Sequence, residues 1–278
     1  MTHLPQPARP PTSRPLALIT GASSGIGAAF AHALAARSHD LVLVARREDR
    51  LKALAAELTA RHGVTATVLP ADLAVFDADR ALLSAVEARG LNIDLLVNNA
   101  GFSIPQSFAD VPWSRQRAFL MTLIVNACGL AHGVIPGMVA RGAGRMINIA
   151  SLAGFAPGVA GHTLYPGAKS LMISFSQALD AEYRAQGLVV TAVCPGFTRT
   201  EFAEANGTAE VMAKASRRLF QTPEQVVAAA LAGNDAGRVV VVPGWSNALA
   251  AIALRHLPMG LVRAVLMRGS ARYHLPAA

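Results

Sequence analysis

Tyr165 is followed four residues later by Lys169, and Ser151 precedes the tyrosine by 14 residues. Tyrosine alone is a poor acid–base group near neutrality, because its free pKa is about 10. A lysine at i+4 shares its helical face, and a nearby cation favours the phenolate and lowers that pKa. The pair therefore has the parts of an acid–base device, with the Ser151 hydroxyl available as a polar partner. Each part alone is ordinary. Tyrosine and lysine at this spacing occur on any amphipathic helix, and a serine often ends a strand.

A second group of residues has the makings of a phosphate cradle. The apolar run Leu16–Thr20 leads into Thr20-Gly21-Ala22-Ser23-Ser24-Gly25-Ile26-Gly27, and an alanine-rich helical stretch, Ala28–Ala36, follows. Glycines there permit a tight turn, close approach of the backbone to a pyrophosphate, and close packing of helix on sheet. The helix N-terminus offers unpaired N–H groups and the positive end of its dipole. A glycine cluster can also be a plain strand-to-helix turn, but here strand, spacing and helix agree. The end of the next apolar run selects the dinucleotide. An NAD site needs a carboxylate there for the ribose hydroxyls, whereas a 2′-phosphate needs a cation. The chain reads Val44-Ala45-Arg46-Arg47, with no acid. Arg46 is the expected partner of a 2′-phosphate, with Arg47 in support, so NADP(H) is expected over NAD(H). The competing reading is two solvated arginines that pair with Glu48 and Asp49.

These groups need a scaffold, and the hydrophobic pattern supplies one. Short apolar runs at Leu16–Thr20, Leu41–Ala45, Thr65–Leu69, Ile93–Asn98, Arg145–Ala150, Val189–Val193 and Arg238–Val242 alternate with helical stretches such as Asp49–Arg61 and Leu171–Arg184. Several runs are apolar without alternation, as for strands covered on both faces. The rhythm predicts one α/β domain over residues 16–244, a doubly wound parallel sheet in three layers with its ligand crevice at the carboxyl ends of the strands.

The glycine segment, Asn98-Asn99-Ala100-Gly101, Ser151, Tyr165-x-x-x-Lys169 and Pro195-Gly196-x-x-x-Thr200 occur in that order. Together they resemble the single-domain branch of the short-chain dehydrogenase/reductase family. The resemblance implies a Rossmann-type seven-stranded sheet and hydride exchange between a carbonyl and an alcohol. A carbonyl accepting a hydride develops negative charge on oxygen and needs an acid beside it. The resemblance assigns that role to Tyr165, tuned by Lys169, which also holds the nicotinamide ribose. It further implies that Ser151 holds the substrate oxygen and that Asn126 supports a water-linked proton relay to the lysine. Its implied cofactor contacts are Gly21, Ser23, Ser24, Gly25, Ile26 and Gly27 at the phosphates, Asp72 and Leu73 near the adenine, Asn98, Ala100 and Gly101 at the adenosine floor, and Pro195, Gly196, Thr198 and Thr200 at the carboxamide. Two departures stand out. The Ser151–Tyr165 step is one longer than the familiar 13, which places an extra residue in the 155–164 substrate loop. Pro166 follows the tyrosine directly, so the helix is expected to start near Tyr165.

On the substrate side, Glu201–Gln221 is expected to form a mobile cover carrying Phe202, Val211, Met212, Leu219 and Phe220. With Phe155, Pro157, Val159, Leu164 and Phe197 it suits a hydrophobic ketone or secondary alcohol better than a sugar. His162 is a further candidate contact, although a solvated loop histidine is the plainer reading. Thr222-Pro223-Glu224-Gln225 predicts a capped helix start.

The chain has 278 residues, 53% hydrophobic and 15% charged, with a net charge of +8. That excess lies at the ends. Residues 1–15 hold two arginines and no acid, residues 238–278 hold five and no acid, and residues 16–237 hold 18 basic against 17 acidic groups. No stacking or groove-reading motif accompanies the basic residues, so nucleic acid is not an expected partner. Cys128 and Cys194 read as buried free thiols, and no metal site is expected. The Pro-rich residues 1–15 read as a disordered lead-in with no signal peptide, and no spanning helix is expected. A cytoplasmic location is the resulting expectation, and the family resemblance implies a homodimer or homotetramer. Residues 245–278 read as a basic helical extension. It is expected to pack on the body or a second subunit, with the substrate entrance and an anionic membrane surface as competitors. The leading reading is an NADP(H)-dependent carbonyl reductase acting on a small-molecule carbonyl or alcohol. Its rival is a dinucleotide-binding regulatory or scaffold protein without chemistry.

Overall fold

The computed structural model of the chain describes residues 14–158, 160–202, 206 and 220–270, the last four as backbone only. Seven parallel strands run in the order β3-β2-β1-β4-β5-β6-β7. They are β1 (Leu16–Thr20), β2 (Asp40–Ala45), β3 (Ala66–Pro70), β4 (Leu95–Asn98), β5 (Gly144–Ile149), β6 (Leu188–Val193) and β7 (Val240–Val241). The expected strands all form, with ends shifted by one or two residues; the last keeps only its two central valines. The helices are α1 (Gly25–Ala36), α2 (Glu48–His62), α3 (Ala78–Glu87), α4 (Trp113–Leu120), α5 (Asn126–Ala140), α6 (Tyr165–Tyr183), α7 (Pro223–Asp235), α8 (Trp245–His256) and α9 (Met259–Ser270).

Both faces of the sheet are covered. Ala17, Ile19, Leu41, Leu43, Leu95 and Val97 point to a layer with Phe30 and Leu34 of α1, Leu51 and Leu58 of α2, and Val226 and Leu231 of α7. The alternate strand residues, Leu16, Leu18, Val42, Val44 and Leu96, meet Leu82 of α3, Leu130, Val134 and Met138 of α5, and Leu179 of α6. This is why the strands read as continuous apolar runs: neighbours point to opposite faces, and neither face meets water. The predicted capping box is present, with Thr222 accepting from the Gln225 N–H and the Gln225 side chain accepting from the Thr222 N–H.

The structure bears on three expectations. A five-residue π-helical turn, Met121–Val125, joins α4 to α5, making one 28-residue helix, Trp113–Ala140, that is long and apolar enough to cross a membrane. Half of its most apolar 18-residue stretch is buried, and Leu130, Val134 and Met138 lie in the core, so its apolar character serves helix-on-sheet packing. Arg14 and Pro15 belong to the ordered body rather than to a lead-in: the Pro15 carbonyl accepts from Asp40 N, and Arg14 donates to the Gly63 carbonyl. Residues 1–13 lie outside the described residues. The described part of the extension is only partly covered by the body. Ala251 and Val262 are buried, but Trp245, Leu249, Ile252, Leu257, Met259, Leu261 and Val265 are exposed.

Leu96 is fully buried on β4, between β1 and β5. Leu96→Ala should lower the unfolding free energy by about 2–5 kcal/mol, read as an earlier urea midpoint at unchanged slope. A loss under about 0.5 kcal/mol would contradict a tightly packed central strand.

Candidate active site

Strand order reverses between β1 and β4, and the loops leaving these two strands meet there. The Thr20 hydroxyl accepts from the backbone N–H groups of Asn99 (2.9 Å) and Ala100 (3.0 Å). In return the Asn99 amide donates to the carbonyls of Thr20 (2.9 Å) and Gly21 (3.3 Å). Gly21 has φ +69°, and a Cβ on Gly27 would stand 2.2 Å from the Gly21 carbonyl oxygen. Glycine is therefore required at Gly27 for α1 to lie this close to the turn. Ser24 is the N-cap of α1, so the Gly25, Ile26 and Gly27 amides open toward the crevice without intrahelical partners. Ile26 itself packs on the core. A glycine turn, free helix-end donors and the nearby Ser23 and Ser24 hydroxyls fit a dinucleotide pyrophosphate. Thr20 and Asn99 stand in the sequence motifs, but their role of holding one loop against the other shows only in the fold.

At the end of β2 the two arginines differ. Arg46 is exposed and makes no hydrogen bond or ion pair among the described residues. Arg47 reaches across the glycine turn, donating to the Ser23 hydroxyl (3.1 and 3.2 Å) and the Ser24 hydroxyl (2.7 Å). The alternative pairing of these arginines with Glu48 and Asp49 does not form; Glu48 pairs with Lys52 instead. Asp72 caps its own loop, accepting from Ala74 N at 3.0 Å. Leu73 is buried, and its carbonyl accepts from Asn126 at 2.7 Å. The Asn98 side chain turns inward to Ala127 O (3.1 Å) and Asn148 Oδ1 (3.0 Å), so only its backbone can serve a ligand. Gly101 approaches Leu123 in the π-helical turn.

The catalytic candidates come together. Pro166 sits in the first turn of α6, where its missing N–H costs nothing, and Tyr165 begins the helix. Lys169 therefore lies one turn on, its Nζ 5.7 Å from the centre of the Tyr165 ring. Lys169 is buried and donates to Ile149 O at 2.7 Å, which anchors it to the end of β5. Ser151, just beyond β5, lies close enough for its side chain to lower the Tyr165 pKa, and it accepts from Ala153 N at 3.1 Å. The extra residue between Ser151 and Tyr165 is absorbed in the intervening loop.

Electrostatics correct the simple expectation for this pair. Burial raises the Tyr165 pKa above its ordinary value, and the Ser151 side chain only partly offsets that. Burial also pulls Lys169 down to about 8, so the lysine does not by itself bring the phenol near neutrality. Cys194 beside it is buried and pushed up to about 12, an inert thiol as expected; Cys128 is half-buried. Asn126 is fully buried at the end of the π-helical turn, and its side chain is fully engaged. It donates to Leu73 O (2.7 Å) and Val75 O (3.0 Å) and accepts from Asp79 N (3.0 Å). The Asn126 side chain thus has a positioning role, holding the loop that carries Asp72 and Leu73.

The substrate side is aromatic. Phe119, Phe202 and His162 surround the Tyr165 ring, with centroids 6.4, 6.4 and 6.5 Å away. His162 is partly buried, and burial lowers its pKa, so it is a neutral wall residue rather than a solvated one. Ile104, Gln106, Gln116, Phe119, Thr163 and Leu164 line a small pocket beside the tyrosine. The first four were invisible in the sequence, where Phe119 reads as an ordinary core position of a helix. Phe155 lies lower, packed on the cluster of Met172, Ile173 and Cys194 under the Arg255 guanidinium. Phe197 stacks at 5.7 Å on Phe220. Pro195 is buried, Gly196 packs against Asn247 of α8, the Thr198 hydroxyl bonds to the Gly196 carbonyl, and Thr200 accepts from Phe202 N. Val159, Val211, Met212 and Leu219 lie outside the described residues.

The depressed Lys169 pKa has a signed consequence. The unfolded lysine titrates near 10.4, so between about pH 8 and 10.4 the unfolded chain binds more protons and stability rises with pH. Below pH 8 the full cost of the buried charge opposes folding. In denaturant titrations of wild type and Lys169→Met, the stability difference should shift toward wild type by about 1 kcal/mol from pH 7 to pH 9. A difference independent of pH would refute the depressed value.

Comparison with known proteins agrees with this geometry. The short chain dehydrogenase family profile matches residues 15–211. The very-long-chain 3-oxoacyl-CoA reductase of Anas platyrhynchos is 36% identical over 225 residues, covering 77% of this chain and 67% of the relative. That of Bos taurus is 35% identical over 196 residues, covering 68% of this chain and 61% of its own length, so the chain spans less than two thirds of that relative. A short-chain dehydrogenase from Sphingobium yanoikuyae in complex with NADPH superposes with TM-score 0.77 at 36% identity, over 91% of this chain and 95% of that one. A bulky-bulky ketone specific alcohol dehydrogenase from Comamonas testosteroni superposes with TM-score 0.73 at 30% identity, over 96% and 97%. The chain belongs to the short-chain dehydrogenase/reductase family.

Proposed function

We propose that the protein is an NADP(H)-dependent reductase that exchanges a hydride between a hydrophobic ketone or aldehyde and the corresponding secondary alcohol. The observation that carries this reading is the meeting of Ser151, Tyr165 and Lys169 at the carboxyl end of β5. The absence of an acid at the end of β2 and the position of Arg47 over Ser23 and Ser24 favour the phosphorylated dinucleotide. Solved neighbours carry the same cofactor: the Sphingobium enzyme is described with NADPH, and a related dehydrogenase from Beutenbergia cavernae with bound NADP.

When bound, the nicotinamide supplies the hydride. Ser151 is placed to hydrogen-bond the carbonyl oxygen and hold it beside the tyrosine. Tyr165 donates the proton that neutralises the developing alkoxide; its raised pKa keeps it protonated through neutral pH, as reduction requires. Lys169, fixed to Ile149 O, brings positive charge close to that oxygen and favours the phenolate left behind. The rings of Phe119, Phe202 and His162 exclude water and present an apolar wall. That wall supports a hydrophobic ketone, in line with relatives named for very-long-chain 3-oxoacyl-CoA and bulky-bulky ketones. Tyr165→Phe should lower turnover of an aryl alkyl ketone by two to four orders of magnitude while NADPH still binds in fluorescence titration. Full turnover in that variant would refute the assignment.

A second reading concerns where the enzyme works, and the exposed C-terminal stripe favours it. Trp245, Leu249 and Ile252 recur at helical spacing on α8, Leu257 follows at its end, and Leu261 and Val265 lie one turn apart on α9; all six are exposed. Residues 236–278 contain five arginines and no acid. An apolar stripe flanked by cations suits an anionic lipid surface. Pairing two copies through the same stripe would bring like charges together, so the lipid surface is the proposed occupant. Wild type should co-sediment with phosphatidylglycerol-containing vesicles and not with phosphatidylcholine alone, and Leu249→Ser/Ile252→Ser should stay in solution. A dimer that these substitutions dissociate, without vesicle binding, would overturn it.

A further inference from the structure

The segment that follows the nicotinamide turn crosses in front of the glycine turn. Its base is closed by backbone bonds, Gln221 N to Phe197 O and Arg199 N to Gln221 O, both 2.9 Å. Thr200 then lies against Gly25, where a Cβ would stand 3.0 Å from its methyl carbon. This brings the next residue, Glu201, to the arginines at the end of β2. Glu201 Oε2 accepts from Arg47 Nη1 and Arg50 Nη1, each at 2.9 Å, and Oε1 accepts from Arg50 Nη1 at 2.7 Å. The other edge of the Arg47 guanidinium is engaged by Ser23 and Ser24. One carboxylate thus bridges two guanidiniums at the N-terminus of α2, where the helix dipole adds further attraction for an anion.

A 2′-phosphate calls for the same environment: two guanidiniums, serine hydroxyls and a helix N-terminus. We propose that Glu201 is a specificity-determining residue, an internal anion that holds Arg47 and Arg50 and that the 2′-phosphate of the dinucleotide displaces. The proposal rests on the NADP(H) reading and adds Arg50 and Glu201 to it. The two guanidinium hydrogen bonds keep the Glu201 carboxyl below the usual carboxylate pKa, so it competes as an anion throughout the neutral range. Binding the phosphorylated dinucleotide is then an exchange of one anion for another, while the unphosphorylated form leaves Glu201 where it is. Glu201 therefore lowers discrimination between the two dinucleotides and ties the state of the cofactor site to the segment beside Phe202, whose ring meets Tyr165.

The test is Glu201→Gln, which keeps side-chain volume at an exposed position and should leave the thermal midpoint unchanged. Dissociation constants for NADPH and NADH are read by fluorescence titration, and those for adenosine 2′,5′-bisphosphate and adenosine 5′-phosphate by calorimetry. Glu201→Gln should tighten NADPH and the bisphosphate about three- to tenfold, with NADH and adenosine 5′-phosphate changed less than twofold. Arg50→Gln should weaken NADPH and remove most of the gain when combined with Glu201→Gln, as expected for groups sharing one site. Equal tightening of both dinucleotides would reduce Glu201 to a general field effect and overturn the proposal. Weaker NADPH binding would overturn it too, because Glu201 would then be orienting the guanidiniums for the phosphate. If wild type and Arg47→Gln both bound NADPH no better than NADH, the cofactor reading itself would fall, and the proposal with it.

Discussion

Everything at this site depends on how closely two loops are clasped at the point where strand order reverses. Four hydrogen bonds tie Thr20 and Gly21 to Asn99 and Ala100 between the ends of β1 and β4, and Gly27 lets α1 seat directly on the turn. The clasp satisfies backbone groups that would otherwise be left unpaired where the strands end. It also fixes the direction of the α1 N-terminus, and so where an anion can bind. Without that close approach the Ser23 and Ser24 hydroxyls would have no fixed relation to Arg47, and the crevice would lose the phosphate end of its ligand site.

A second constraint is burial at the catalytic end. Lys169 reaches its position by giving a hydrogen bond to Ile149 O in a desolvated environment, and both it and Tyr165 shift toward their neutral forms. Desolvation is the leading cause of both shifts in the chain alone. For reduction this is a consistent arrangement, because the site needs a protonated acid beside a developing alkoxide. The π-helical turn belongs to the same design. Asn126 directly follows it, and its one amide holds the loop after β3 against the start of α3, so this helix junction sets the position of a cofactor loop on the same side of the sheet.

The charge distribution acquires a meaning at both ends of the crevice. Arg46 and Arg47 belong to a nearly neutral body, yet Arg47 with Arg50 forms a local anion site that the protein fills with its own Glu201. The acid-free C-terminal arginines instead accompany an apolar stripe that the body does not cover. Asn247 ties the two regions together by donating to Gln221 and Pro243 O, anchoring α8 to the base of the substrate segment.

The sheet was legible from local pattern, because strands covered on both faces must be continuously apolar and the segments between them carry helical spacing. The glycine turn and the Tyr165–Lys169 pair were legible for a related reason: both need particular residue types at fixed short spacing. Pro166, an apparent obstacle, fits the helix start that its own chemistry favours. Only the tertiary structure decided what depends on long-range juxtaposition. That includes the assignment of Thr20, Asn99 and Asn126 to holding loops, the Phe119 wall around Tyr165, the meeting of Glu201 with Arg47 and Arg50 across more than 150 residues, and the dominance of burial over attraction at Lys169. Local spacing records which groups the chain supplies. How deeply a group is desolvated and which distant side chain reaches it are set by packing, which no short stretch of sequence contains.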